Sequence, residues 1–333
     1  SGHIGSSFSS LDIISWLLME EMNDDDIFFS SNGHDAPGYY AALIGMGKID
    51  FDFIHKLRKI GGLPGHPDIG TPCIVTNTGS LGMGISKAKG MVFASRLGKR
   101  SGRVFVMTGD GEVQEGQFWE YLVSAVNCGL HEITVIIDHN KLQSDTFVKN
   151  VSDLGDLEAK LRAFGWRVGR CDGNNIRALA APLASLKGEL RPKVIIADTV
   201  KGKGVSFMEH TSLASDAAMY HFHSGAPDAS SYQLAAQEIM GRLQQCMSDA
   251  SASVLVFKTV EREAAAPPST QAQRLIPAYS RALLEQAKKH PNLVALDADL
   301  IWDTGLIPFR DQFPNRFFEC GIAEQDMVSI AGG

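Results

Sequence analysis

The feature that most constrains the fold of this chain is an acidic residue between two glycines at the end of an apolar run. The run leads into Gly-Asp-Gly-Glu at 109–112, and a second apolar run, 133–137, ends close to Asn140. Between them, the apolar residues of 117–126 recur at the spacing of a helix. A strand, a helix and a strand of these lengths predict one right-handed parallel crossover. Asp110 and Asn140 are therefore expected at the carboxyl edge of a parallel sheet, where ligands bind.

These two side chains are suited to a metal ion. A carboxylate and an amide oxygen from neighbouring strand ends are ligands for a hard divalent cation such as Mg²⁺ or Ca²⁺. Gly109 and Gly111 let the backbone approach such a ligand and leave amide hydrogens free for phosphate. The alternative is an ordinary strand-to-helix turn in which Asp110 caps the helix. Asn140 at the end of the next strand favours the metal, so we predict a cation at Asp110 and Asn140.

The glycine-rich segment 78–84 is a second candidate for phosphate binding, since it is predicted to open a helix through Ala94. Its glycines imitate a dinucleotide-binding fingerprint. The spacing, however, is Gly-x-x-Gly-x-Gly, and no acidic residue follows at the end of a second strand, which argues against a nicotinamide cofactor. Residues 61–72 are too rich in Gly and Pro for regular structure, so His66 is predicted on a long loop of the kind that is often functional.

Buried strands alternate with amphipathic helices, which predicts the α/β class with a doubly wound parallel sheet, followed by a partial second α/β domain. We place the first domain at residues 1–257, an exposed linker at 258–275, and the second domain at 276–333. The second stretch is too short for a domain with both sheet faces covered. The chain begins without methionine and stops within a predicted helix, so we expect either a fragment or the ordered part of a longer protein.

Composition excludes several classes of protein. A net charge of −7 without a basic cluster argues against nucleic acid as a partner. No apolar run approaches the roughly 20 residues that span a bilayer, so no membrane partner is expected. The five cysteines are odd in number and widely spaced, without a Cys-x-x-Cys pair, which predicts reduced thiols in a cytoplasmic protein.

Nine short motifs, in one order along almost the whole chain, resemble the amino-terminal part of the transketolase family, whose members use thiamine diphosphate. The motifs lie at 1–3, 31–34, 65–67, 78–84, 109–116, 140–141, 201–204, 297–300 and 321–325. The resemblance implies the thiamine-diphosphate-binding fold for the first domain and the start of the pyrimidine-binding domain for the second.

The resemblance also implies ligands for the cofactor. Asp110, Asn140 and the carbonyl of Leu142 are implied to bind Mg²⁺ or Ca²⁺. The residues implied to contact thiamine diphosphate are His34, Gly79, Leu81, Gly111, Glu112, Asn140 and Glu324. Glu324 matches the glutamate that hydrogen-bonds the aminopyrimidine ring, which favours the tautomer that removes the C2 proton of the thiazolium.

The implied activity is transfer of a two-carbon ketol unit from a ketose or its phosphate to an aldose or its phosphate, through a thiamine diphosphate carbanion. His3, His66 and a histidine after the Lys-Gly-x-Gly segment are implied to contact substrate hydroxyls and to move protons. His223 matches that last histidine best, and His210 and His221 remain alternatives.

Glu115 matches a glutamate that reaches toward the pyrimidine-site glutamate of the other protomer, although a simple helix-start carboxylate is the alternative. Two domains from different chains enclose the cofactor in this family, so the implied partners are a homodimer or two-chain assembly, with sugars or sugar phosphates as substrates. Three alternatives to transketolase chemistry are another carboligase such as a deoxyxylulose-phosphate synthase, a non-catalytic homologue, and half of a two-chain enzyme. The pattern Glu-x-x-Glu-Gly at 112–116 favours a transketolase over a deoxyxylulose-phosphate synthase, and the presence of Asp110, Asn140 and Glu324 together argues against loss of cofactor binding.

Overall fold

The computed structural model describes residues 2–224, 226–253 and 274–332, and the chain divides into two compact units, Ser1–Pro227 and Asp228–Gly333. Each unit has a hydrophobic core of its own. Among the described residues, the structure contains no helix that combines the length and the apolar character needed to cross a bilayer.

The first unit alternates helices and strands. Its helices are α1 (Ile4–Trp16), α2 (Ala36–Gly45), α3 (Gly84–Leu97), α4 (Gly116–Asn127), α5 (Val148–Val151), α6 (Leu157–Ala163) and α7 (Ile176–Ser185). Its strands are β1 (Ile27–Ser30), β2 (Val104–Gly109), β3 (Ile133–His139), β4 (Leu142–Gln143), β5 (Thr146–Phe147), β6 (Arg167–Asp172) and β7 (Lys193–Asp198). Short 3₁₀ turns lie at Phe51–His55, Gly111–Gln114 and His210–Ser212.

Five of these strands form one parallel sheet in the order β1-β2-β3-β7-β6, and β4 and β5 form a small antiparallel pair. The predicted crossover is confirmed, because β2, α4 and β3 follow one another and the two strands pair in parallel. Gly109 lies opposite Asp138, and His139 lies opposite Asp198. The ends of β2, β3 and β7 therefore reach the same edge of the sheet, as the doubly wound class requires.

The sheet is covered on both faces, which explains why its strands are apolar throughout. Val104 and Val106 of β2 belong to a core with α3, α4 and α6, whereas Phe105 and Met107 belong to a core with α1, α2 and α7. Full burial of a large apolar side chain stabilises the fold by roughly 1.5–3 kcal/mol. Two such cores hold the strand ends, and with them the loops that follow, in fixed positions.

The second unit has a smaller core, formed by Ala287, Ala295, Leu306 and Phe309. Its elements are the helices α8 (Ala229–Asp249), α9 (Leu275–Lys289), α10 (Ile301–Thr304), α11 (Ile307–Gln312) and α12 (Glu324–Gly332) and the parallel strands β8 (Ala295–Asp297) and β9 (Phe317–Glu319).

The compact units divide the chain earlier than the sequence predicted. The helix α8 is grouped with the second unit, although the sequence placed it in the domain 1–257. Only Ala235 among the 21 residues of α8 is buried. The sequence of this helix therefore lacks a long apolar face that would indicate which unit it packs against. Most of the predicted linker 258–275 lies outside the described residues, and its last residue, Leu275, begins α9. The domain boundary itself stays a prediction.

Candidate active site

The loops after β2 and β3 bring the predicted metal ligands together. One carboxylate oxygen of Asp110 accepts a hydrogen bond from the backbone N–H of Gly111 at 2.9 Å, and the other accepts one from the backbone N–H of Lys141. The side-chain oxygen of Asn140 accepts from the N–H of Leu142 at 3.1 Å. Asp110 therefore lies against the backbone segment that carries the other two expected ligands.

The burial and charge of Asp110 are compatible with a bound cation. Asp110 is only 2% exposed, and burial raises the pKa of its carboxyl to about 6, although the charges of His139 and Lys201 oppose that rise. A carboxylate removed from water in this way is stabilised by a nearby positive charge. The neighbouring donors are an amide oxygen and a backbone carbonyl, and such oxygen atoms are the ligands of Mg²⁺ and Ca²⁺. The residues present therefore fit a hard divalent ion.

Asp138 is a positioning residue that the sequence analysis missed. It is buried at the end of β3, and its Oδ2 atom accepts a hydrogen bond from the amide of Asn140 at 3.3 Å. It also accepts from Ser9 at 2.5 Å and from the hydroxyl of Thr199. These bonds link the Asn140 side chain to α1 and to the loop after β7. An acid two residues before Asn140, inside an apolar strand, was the available signal.

Four imidazoles converge at the same edge of the sheet. The ring centroid of His3 lies 4.5 Å from that of His34, 5.4 Å from that of His66 and 5.0 Å from that of His223. The ring of His34 lies 5.3 Å from His66 and 5.5 Å from His223. The sequence predicted these residues separately, and the structure places them in one cluster, which we call the imidazole cluster.

Each imidazole is supplied by a different segment. His3 precedes α1, and its Nδ1 atom lies 3.2 Å from the carbonyl of His223. The N–H of Gly5 donates to the carbonyl of Phe222 at 3.0 Å, which fastens the start of α1 to the segment of His223. Behind His66, the hydroxyl of Thr78 donates to the carbonyl of Pro67 at 2.8 Å. The cluster thus depends on contacts between chain segments far apart in sequence.

The structure separates the three candidate histidines of the 200–223 region. His223 belongs to the imidazole cluster, whereas the Nδ1 atom of His210 accepts a hydrogen bond from the N–H of Lys201 at 3.0 Å. His221 is exposed. The geometry supports His223, and its role stays a prediction.

The imidazole cluster favours neutral rings. Burial, together with the nearby charge of His66, lowers the pKa of His3 to about 4. Burial also holds the pKa values of His34 and His223 well below their usual range, and Lys201 adds to the effect. At neutral pH each ring therefore has one nitrogen that can accept a hydrogen bond or a proton.

Lys201 is a second residue whose burial beside the candidate site is visible only in the structure. It is 1% exposed, and its Nζ atom donates to the carbonyl of Ser144 at 2.9 Å and lies 5.2 Å from the ring centre of Tyr220. From the sequence, the Lys-Gly-Lys-Gly segment suited an anion site or a tight turn equally well. In the structure, its first lysine is a buried positive charge that acts on Asp110 as well as on the imidazole cluster.

The glycine-rich turn before α3 is held in place by Glu112. This carboxyl is 3% exposed, and it accepts hydrogen bonds from the N–H of Gly82, at 2.9 Å, and from the hydroxyl of Ser31. Burial raises the pKa of Glu112 to about 7. Gly79 has a φ of +98°, a conformation that favours glycine, and a Cβ there would lie 3.5 Å from the ring of His66. The predicted contacts of Gly79, Leu81, Gly111 and Glu112 with a diphosphate stay predictions.

The two glutamates predicted for catalysis occupy different units. Glu115 precedes α4 and is 3% exposed, and its side chain makes no capping hydrogen bond, so capping does not explain its burial. A Cβ at Gly82 would lie 2.6 Å from the Cβ of Glu115, so that close approach requires glycine. Glu324 is the first residue of α12 in the second unit, and it is exposed.

Comparisons with known proteins agree with this arrangement. The chain is 34% identical over 249 residues to one of the subunits of the apulose-4-phosphate transketolase of Actinobacillus succinogenes, covering 72% of this chain and 87% of the relative. It is 33% identical to transketolase-like protein 2 of Bos taurus, covering 100% of this chain and 55% of the relative, so it spans about half the length of that protein. The transketolase structure from Leishmania mexicana has the same fold, with a TM-score of 0.58 at 21% identity, over 97% of this chain and 57% of that one.

The strongest assignment comes from the first unit. Residues 1–222 match the family model described as "Transketolase, thiamine diphosphate binding domain". The matched range includes the loops that carry Asp110 and Asn140, the glycine-rich turn and three members of the imidazole cluster. The chain therefore belongs to the transketolase family, and its first unit is the thiamine diphosphate binding domain of that family.

Proposed function

We propose that this chain transfers a two-carbon ketol unit from a ketose or ketose phosphate to an aldose or aldose phosphate, with thiamine diphosphate and a divalent metal. The observation that carries the proposal is the position of the imidazole cluster and the buried oxygen ligands on loops at one edge of the parallel sheet. Lys201 links the two groups, because its charge acts on Asp110 as well as on His34 and His223. Such an edge is where ligands bind in open α/β sheets.

The residues that would hold the cofactor follow from their chemistry. Asp110, Asn140 and the Leu142 carbonyl would bind Mg²⁺ or Ca²⁺, and that ion would supply positive charge for a diphosphate group. The diphosphate would lie beside the amides of Gly79 and Gly111, and Leu81 would supply an apolar contact for the rings. When bound, thiamine diphosphate supplies the nucleophile and the electron sink.

Side chains of the chain itself would orient the substrate and move protons. The neutral rings of His3, His66 and His223 can accept hydrogen bonds from sugar hydroxyls at a free ring nitrogen, and they can take up a proton there. Glu112 would keep the glycine-rich turn in place, and Glu324 would supply a carboxyl partner for the aminopyrimidine.

The proposed assembly is a homodimer or a two-chain enzyme in which Glu115 reaches toward the other protomer. The burial of the Glu115 side chain distinguishes it from a solvent-exposed carboxylate at a helix start. A two-chain form is supported by the Actinobacillus succinogenes relative, which is named as one subunit of its enzyme and 87% of which is covered. The homodimer is supported by a longer relative, with which the whole chain aligns, including its second unit.

Calorimetric titration of thiamine diphosphate into the longest soluble form of the protein tests the cofactor and the metal together. We expect binding with Mg²⁺, and we expect it to be lost with EDTA or in Asp110→Ala, because the cation links the acid to the diphosphate. Asp24→Ala, at an exposed acid of the same unit, is the matched control. Unchanged binding by Asp110→Ala would show that Asp110 is not a ligand. Formation of new sugars from a ketose and an aldose, followed by mass spectrometry, tests the transfer itself.

A further inference from the structure

Three members of the imidazole cluster have the spacing of a metal site of a second kind. One ring nitrogen from each of His3, His34 and His223 lies within 4.8 Å of the other two. In a tetrahedral zinc site with Zn–N bonds of about 2.0–2.1 Å, the nitrogens lie about 3.4 Å apart. Closing that difference requires rotation about the side-chain torsions of the three histidines.

Hydrogen bonding leaves ligand atoms free in this cluster. The Nδ1 atom of His3 lies 3.2 Å from the carbonyl of His223, and a carbonyl only accepts, so that nitrogen carries the proton and Nε2 is left to bind an ion. A backbone carbonyl that orients a histidine in this way is typical of metal sites. The Nδ1 atoms of His223 and of the adjacent His66 are buried, and neither has a hydrogen-bond partner among the described residues.

The charges around the cluster also bear on this site. The positive charges of Lys201 and Arg58 act on the cluster and oppose the binding of a further cation. We therefore expect reversible binding that is weaker than at a structural zinc site.

We propose that His3, His34 and His223 bind a transition-metal ion such as Zn²⁺, at a site distinct from the oxygen ligands at Asp110. Imidazole nitrogen suits Zn²⁺, Co²⁺, Ni²⁺ and Cu²⁺, whereas Mg²⁺ and Ca²⁺ prefer oxygen. The same protein thus discriminates between two classes of cation at two places. An ion on the imidazoles would exclude a sugar from them, so Zn²⁺ would act as a reversible inhibitor of the proposed reaction. The metal site itself does not depend on that reaction.

Cobalt absorption spectroscopy tests this site directly. The protein is kept reduced and saturated with Mg²⁺, so that the oxygen site is occupied, and Co²⁺ is added while the visible spectrum is recorded. We expect one equivalent with the bands of tetrahedral, nitrogen-bound Co²⁺, displaced by Zn²⁺. His34→Gln and His223→Gln should each weaken binding at least tenfold. His131→Gln, at an imidazole whose side chain is 46% exposed, should leave binding unchanged.

Three results would overturn the proposal. They are absence of the tetrahedral spectrum, equal Co²⁺ affinity in His34→Gln, His223→Gln and the unsubstituted protein, and a thiolate charge-transfer band, which would place the ion on cysteine. Circular dichroism of each variant establishes that it is folded before its affinity is compared. Thiamine diphosphate titration in parallel separates this inference from the proposed function, because a protein that binds the cofactor without binding Co²⁺ refutes only the imidazole site.

Discussion

The buried carboxyl of Asp35 allows a test of how burial changes the pH dependence of the free energy of unfolding. Asp35 precedes α2, it is 2% exposed, and neither oxygen of its carboxyl has a hydrogen-bond partner among the described residues. Burial raises the pKa of this carboxyl from 3.8 to about 7. An acid that is harder to ionise in the folded state than in the unfolded state makes the stability of the protein depend on pH.

The sign of this dependence follows from which state loses its proton first. Above about pH 4 the unfolded chain releases the proton of Asp35 while the folded protein keeps it, so the free energy of unfolding falls as the pH rises. The fall ends near pH 7, where the folded carboxyl also ionises. The full change from 3.8 to about 7 corresponds to about 4 kcal/mol, of which about 2–3 kcal/mol falls between pH 5 and pH 8.

The substitution Asp35→Asn removes this titration and keeps the shape of the side chain. A buried amide without partners costs about 1–3 kcal/mol, but that cost is the same at every pH. We therefore compare the change between pH 5 and pH 8, measured by urea unfolding with tryptophan fluorescence, since Trp16 and Trp166 are buried in the first unit. The variant should lose about 2–3 kcal/mol less than the original protein over this range. Asp24→Asn, at an exposed carboxylate, is the control and should follow the original protein.

One result would refute the reasoning. If Asp35→Asn and the original protein change equally between pH 5 and pH 8, the carboxyl of Asp35 titrates alike in the folded and unfolded states. Burial would then not control its protonation.

Two further substitutions test the packing that supports the site. Gly5→Ala places a Cβ 2.5 Å from a buried tyrosine hydroxyl and 2.9 Å from the carbonyl of Phe222, so it should destabilise the protein by about 1–3 kcal/mol in thermal unfolding. Gly45→Ala, with no atom within 4 Å of its new Cβ, is the matched control and should be neutral or stabilising; equal effects of the two would refute the clash. Phe118→Ala, at a fully buried ring of α4, should cost about 3–5 kcal/mol in urea unfolding, and a loss below about 1 kcal/mol would show that the two-sided core does not hold the β2–α4–β3 crossover.

The sequence by itself was enough for those features that depend on residues close together in the chain. The β2–α4–β3 crossover was predictable because its apolar residues follow strand and helix spacing within about 35 residues. Once that crossover was recognised, Asp110 and Asn140 had to lie at one sheet edge. The resemblance to the transketolase family rested on short motifs in order, and the match of residues 1–222 confirms it.

The tertiary structure decided what depends on contacts across long separations. His3 and His223 are 220 residues apart, and no local period indicates that they meet. The same holds for Lys201, whose burial makes it a charge shared by two groups of site residues, and for Asp138, which positions Asn140. The physical reason is that burial and charge act through space. A residue type and its neighbours in sequence predict a strand end, whereas the pKa of the side chain there depends on atoms that only the folded chain brings to it.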